Sequence, residues 1–125
     1  SYGGFAITVL VHTDMAAPHL WHAGTAAQQD RWMPDIVAGR KIAAVAMTEP
    51  DAGSDLASMR TTARREGDQW VLNGAKLYIT NGVHGDIYFV AAKTGEPGRN
   101  HQVSMFVVEK GAPGFGVARP LKKQG

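Results

Sequence analysis

The chain has 125 residues, 44% hydrophobic and 19% charged, which allows a packed core but not a large multidomain enzyme. Thirteen Lys and Arg against 11 Asp and Glu give a net charge of +2. The basic pairs Arg64-Arg65 and Lys122-Lys123 lack interleaved aromatics, which argues against a nucleic-acid surface. Cysteine is absent, so disulfides and thiolate chemistry are excluded. The longest apolar stretch, residues 5–11, is too short to span a bilayer. The opening SYGGFAITVLVH lacks the features of a signal peptide, and a cytoplasmic location fits.

Residues 1–41 read as helical. Thr25-Ala-Ala-Gln28 has capping-box spacing, with a hydroxyl for an orphan N–H and a glutamine placed to reach back. Leu20, Trp32, Ile36 and Val37 supply apolar anchors nearby. Gly39 ends that helix, with Arg40 and Lys41 at the negative end of its dipole. Residues 5–11 suit strand by propensity, but their neighbours favour helix, and helical hairpins are expected.

From Ile42 the pattern changes: 11 of the 15 glycines follow residue 41, among β-branched runs and turn signals. Candidate strands are IAAVAMT, ASMRTTARRE, QWVLN, AKLYIT, DIYFVAAKT, VSMFVVEK and FGVARP. They are separated by turns that include Gly67-Asp68, Asn73-Gly74 and the loop GEPGRN. Asn73-Gly74 is a type I′ hairpin signal. The expected fold is therefore α+β, a short helical segment (1–41) followed by an antiparallel β-barrel or sandwich-like domain (42–125). The chain begins within an apolar segment and stops just past a candidate strand. A fragment is expected, truncated at the C-terminal end of its β domain, with apolar helix faces that need covering.

Two segments carry chemistry. In AMTEPDAGSDLAS, residues 46–58, Pro50-Asp51 favours a turn, and Gly53 permits close backbone approach to a ligand. The turn with the Ser54 hydroxyl suits phosphate oxygens, but for this segment alone a plain β-turn with Asp side chains bonding the local backbone is the favoured reading. In KLYITNG, strand alternation would put Tyr78 and Thr80 on one face. The same alternation groups Ala44, Ala46 and Thr48, where small side chains leave room for a flat ring. Threonine as a simple strand former is the competing reading. His19 and His22 have helical i, i+3 spacing but no further ligands, so no metal site is expected.

These segments, in this order, resemble the middle domain of the acyl-CoA dehydrogenase family. The lead-in WHAGTAAQQDRWMPDIVAGRKIAA resembles the end of that family's N-terminal helical domain, and VSMFVVEKGAPGFGV a later stretch of its β domain. The resemblance implies an FAD flavoenzyme that oxidises acyl-CoA to trans-2-enoyl-CoA, with hydride transfer to flavin N5. It implies electron-transfer flavoprotein as the acceptor and a homo-oligomer, dimer or tetramer.

By position, Met47 and Thr48 match residues lining the flavin, with Thr48 at the pyrimidine edge. Gly53 and Ser54 match a loop at the FAD phosphates, and Ser54 also borders substrate. Tyr78, Ile79 and Thr80 match an aromatic-x-Thr element, with Thr80 near N5. Many members carry tryptophan where this chain has Tyr78, and tyrosine keeps an aromatic face. The family's catalytic base comes from a C-terminal helical domain, so no residue here inherits that role and the chain alone is expected to be inactive. Glu49, in the TEP turn, is assigned to structure. Alternatives on the same scaffold are an acyl-CoA oxidase or a flavin-dependent monooxygenase; a non-redox β-barrel binding module is the reading from another class.

Overall fold

The computed structural model describes residues 2–95, 102–118 and 120–122. Helix α3, Ala26–Val37, begins at the capping box. The Gln28 N–H donates to the Thr25 hydroxyl at 3.3 Å, and the Thr25 N–H donates to Gln28 Oε1 at 2.9 Å. These bonds satisfy orphan donors at the helix start. Gly39 past its end takes φ 69°, the left-handed conformation that glycine adopts cheaply. Upstream lie α1, Tyr2–Leu10, and α2, Ala17–Ala23, joined by a π-helical stretch, Val11–Ala16. Residues 5–11 are thus helical, as their neighbours indicated. Phe5, Ile7, Val9 and Leu10 remain exposed.

Five strands follow: β1 Ala43–Ala46, β2 Thr62–Glu66, β3 Gln69–Asn73, β4 Ile87–Lys93 and β5 Val103–Glu109. β4 organises them. β1 runs parallel along one of its edges, pairing Ala43 with Ile87 through Ala46 with Val90, and β2 joins that edge at Thr62–Lys93. β5 runs antiparallel along the other edge, from Ile87–Glu109 to Lys93–Val103. β2 and β3 form a hairpin closed between Glu66 and Gln69.

The helical segment followed by a β domain is the expected α+β architecture. The sheet is mixed rather than wholly antiparallel, and among the described residues it is open. AKLYIT is not a strand: Tyr78 and Asn81 sit at φ 57° and 64°, which breaks extended pairing. The described part of FGVARP pairs with no described strand and follows a turn in which the Phe115 N–H donates to Ala112 O at 3.0 Å. ASMRTTARRE is extended only from Thr62, after a 3₁₀ turn at Leu56–Ser58. The hairpin turns at Gly67-Asp68, where Gly67 has φ 60°. Asn73-Gly74 instead leaves the sheet. Most of the GEPGRN loop lies outside the described residues.

Alternation along β1 and β4 divides the core between two faces of the sheet. Ala43, Ile87 and Phe89 pack against Ala16, Leu20 and Ile36 of the helical layer. Ala44, Ala46, Tyr88 and Val90 face the other way, against Leu72, Ile79, Val108 and Phe115. Each fully buried large apolar side chain contributes about 1.5–3 kcal/mol.

Polar ties fix the helices on the sheet. His12 Nδ1 accepts from the Ala43 N–H at 2.9 Å, so its Nε2–H donates to Ile36 O, also at 2.9 Å. Trp32 Nε1 and Arg31 both donate to Glu109. These contacts join the π-helical stretch and α3 to β1 and β5.

At Gly74 an added Cβ would stand 2.3 Å from Thr61 Oγ1 and 2.7 Å from Thr61 Cα, whereas one at Gly53 meets nothing within 4 Å. In the complete gene product, Gly74→Ala is therefore expected to destabilise by about 1–3 kcal/mol. Gly53→Ala should change stability by no more than about 0.5 kcal/mol. Thermal denaturation of the two variants checks the contrast, and equal melting temperatures would refute it.

Candidate functional site

β1 ends at Ala46, and the chain then enters a tight turn. Reciprocal backbone bonds close it: Glu49 N–H to Ala52 O at 2.8 Å, and Ala52 N–H to Glu49 O at 3.3 Å. Pro50-Asp51 therefore sits in a turn, as expected. Asp51 pairs with Arg60 at 3.2 Å on the surface. Gly53 and Ser54 lie exposed just beyond.

The second chemical segment is tied directly to the first. The Leu77 N–H donates to Thr48 O at 2.8 Å. Lys76 Nζ donates to Met47 O at 3.0 Å and to the Glu49 carboxylate at 2.8 Å. Glu49 also accepts from the N–H groups of Arg60, at 2.6 Å, and Thr61, at 3.0 Å. One buried carboxylate thus gathers the exit of β1, the start of β2 and the 75–80 segment. Burial pushes the Glu49 pKa up, but these backbone donors and the Lys76 ammonium outweigh it and bring the group down to about 2.

Beyond Lys76 the loop is braced from its other end. Asn81 Nδ2 donates to Thr8 O at 3.1 Å and Ala43 O at 3.2 Å, tying it to α1 and β1. The Tyr88 hydroxyl lies 3.0 Å from Gly82 O and 2.8 Å from Gly85 O, available to donate to either. Burial, with the Asp86 charge beside it, raises the pKa of that hydroxyl, so it remains a donor. Between these braces Ile79 packs into the sheet face, while Tyr78 turns its ring outward, 62% exposed.

Of the residues marked from sequence, Met47–Thr48 and Tyr78–Thr80 are brought together, across the Thr48–Leu77 bond. Tyr78, Ile79 and Thr80 line a wide groove with Thr8, Leu72 and Phe115. Met47 lines a separate apolar recess of about 320 Å³ with Met59, Ala91 and Met105. Gly53 and Ser54 line neither hollow. Strand alternation does not relate Tyr78 to Thr80, because the backbone there is not extended. Ala44 is fully buried beside Tyr88, whereas Ala46, 4% exposed beside Val90, still lines the wide groove.

Lys76, Asn81 and Tyr88, which brace this loop, were not singled out from the sequence. Their only local signal is proximity to the Tyr-Ile-Thr element. Among the described residues no group of three or more His, Cys, Asp or Glu could hold a metal. No described helix is long and apolar enough to cross a membrane.

Hydroxyl donors and an aromatic face suited to a flat heteroaromatic cofactor are present in the two segments, with Thr48, Gly53 and Ser54 lining neither hollow. The hydroxyls of Thr48 and Thr80 have no hydrogen-bond partner among the described residues, and an exposed aromatic ring stands in the same loop as Thr80. Residues 1–40 match the acyl-CoA dehydrogenase N-terminal domain, and residues 44–125 match the acyl-CoA dehydrogenase middle domain. The chain belongs to the acyl-CoA dehydrogenase family. It is 44% identical over 117 residues to the mouse mitochondrial long-chain specific acyl-CoA dehydrogenase, covering 92% of this chain and 27% of that protein. The crystal structure of an acyl-CoA dehydrogenase from Geobacillus kaustophilus superposes with a TM-score of 0.90 at 43% identity, covering 94% of this chain and 31% of that one. A glutaryl-CoA dehydrogenase from Mycobacterium smegmatis in complex with FADH2 gives a TM-score of 0.88 at 36% identity, covering 97% and 30%. The chain thus spans less than a third of the length of these relatives.

Acid titration should expose the Glu49 cluster. Because its folded pKa is depressed, its stabilising contribution is complete above the ordinary value of 4.5 and is lost as pH falls through about 2. In the complete gene product, Glu49→Gln should remove that component from the pH dependence of unfolding. Lys76→Met alone, which leaves a buried carboxylate without its cation, should cost about 3–5 kcal/mol. Chemical denaturation between pH 2 and pH 7 checks both.

Proposed function

We propose that this chain is the flavin-cradling portion of an acyl-CoA dehydrogenase, with residues 1–41 closing an N-terminal helical domain and 42–125 forming the middle β domain. The observation that carries it is the Leu77–Thr48 backbone bond, which joins the two candidate cofactor segments at one edge of the sheet. When bound, FAD supplies the two-electron acceptor for oxidation of acyl-CoA to trans-2-enoyl-CoA.

In this reading the Thr48 peptide and hydroxyl donate to the pyrimidine edge, where donors offset charge developing on reduction. Thr80 donates near N5, Tyr78 offers its face to the ring, and Ile79 anchors the loop. Gly53 and Ser54 approach the phosphates, with Ser54 also bordering the thioester. Glu49 does not act as the base, since its carboxylate is buried and held ionised by Lys76 and two backbone donors. Proton abstraction at the substrate α-carbon falls to a base outside these 125 residues, facing the flavin across the acyl chain. A cytoplasmic setting, electron-transfer flavoprotein as acceptor and a homo-oligomeric assembly complete the proposal.

The complete gene product should carry a flavin spectrum that bleaches anaerobically with at least one member of a panel of acyl-CoA thioesters. Thr48→Ala and Thr80→Ala should each weaken FAD binding by about five- to tenfold, one hydrogen bond's worth. Residues 1–125 alone should give no acyl-CoA turnover. A flavin spectrum that no thioester changes would reject the dehydrogenase assignment in favour of another flavin chemistry on the same scaffold.

A further inference from the structure

Lys76 raises a physical question that packing alone does not answer. Its side chain is 10% exposed, and a buried ammonium is costly unless well paired. Glu49 is already fixed by the N–H groups of Arg60 and Thr61. An apolar side chain would bridge β1 and the loop with less desolvation. The cation has a second acceptor, Met47 O at 3.0 Å.

In a trans peptide the carbonyl and the following N–H point in opposite directions. Fixing Met47 O on Lys76 Nζ therefore turns the Thr48 N–H away from Lys76. Among the described residues nothing accepts from that N–H, and nothing bonds the Thr48 hydroxyl. The Thr48 carbonyl is taken by Leu77. A cation on the carbonyl oxygen polarises the amide, and hydrogen bonds in series strengthen one another where the dielectric is low. The result is an oriented, strengthened donor half-buried at the edge of the sheet.

We propose that Lys76 is a positioning residue that, through the Met47 carbonyl, aims and polarises the Met47–Thr48 peptide toward the pyrimidine edge of bound flavin, favouring its reduced state. This rests on the flavin reading above. Lys76 touches neither cofactor nor substrate, and Glu49 moderates its field. A purely structural brace predicts weaker cofactor retention at an unchanged potential. A polarising cation predicts a potential that follows the charge.

The test uses the complete gene product with FAD, comparing wild type, Glu49→Gln and the double variant Glu49→Gln/Lys76→Met, which removes both charges while keeping the side-chain shapes. The midpoint potential of bound FAD is measured anaerobically against a reference dye. The double variant should lose about tenfold in its preference for reduced over oxidised FAD relative to Glu49→Gln, about 30 mV for a two-electron couple. Equal potentials in the two variants would overturn the proposal. Should the double variant fail to fold, Glu49→Gln against wild type decides. Removing the moderating anion should raise the potential, and an unchanged or lower value overturns the inference. Wild-type protein that holds no FAD at saturating cofactor would instead sink the flavin reading, and this inference with it.

Discussion

Strand β4 is the constraint on which the rest of the structure depends. From Ile87 through Ala92 every residue is buried, and both edges carry hydrogen-bonded neighbours. Such a strand tolerates no slip in register, since one residue of shift would exchange the helix-facing and loop-facing sets. Phe89 must meet Leu20 and Ile36 while Tyr88 meets Phe115. The position of β1, and so of every residue that follows its exit, is inherited from that register.

On this frame the candidate site is held by polar contacts at both ends of an irregular loop. Lys76 and Leu77 secure its start to the exit of β1. Asn81 secures its end to α1 and β1. Tyr78 adopts a left-handed backbone between these anchors, a conformation that costs a non-glycine residue about 1–2 kcal/mol and persists because its flanks are fixed. An outward-facing aromatic ring in a strained, well-braced loop is the arrangement expected where a ligand is to be met without reorganisation.

Local chemistry was legible in the sequence; tertiary substitution of local rules was not. Thr25 with Gln28, and Gly39 after Val37, mark helix ends through contacts within a few residues, and both stand as read. β-branched and aromatic runs identified β4 and β5 for the same reason. The segment 75–80 has equal strand propensity, yet its backbone bonds go to Thr48, and Asn81 answers to Thr8 and Ala43, partners that no local window contains. Gly74 looked like a turn residue and proves to be a point of close approach to Thr61. The two segments singled out from sequence are neighbours, joined by the Leu77–Thr48 bond, while the strand-face geometry used to relate Tyr78 to Thr80 does not apply. Glu49 was read correctly as scaffold, but its partner Lys76 passed unnoticed because nothing in a lysine's neighbours signals burial.

The parallel pairing of β1 with β4 also sets an order of assembly. Ala43 lies opposite Ile87, so the whole stretch between them, turn, β2–β3 hairpin and the irregular loop, must be looped out before this pairing can close. Closing so long a loop is slow relative to forming a two-residue hairpin. The hairpin and capped helix can therefore form early from neighbouring residues, whereas the candidate site exists only once the distant strands have met. A ligand that binds only the finished site would then trap the last step of folding rather than guide the first.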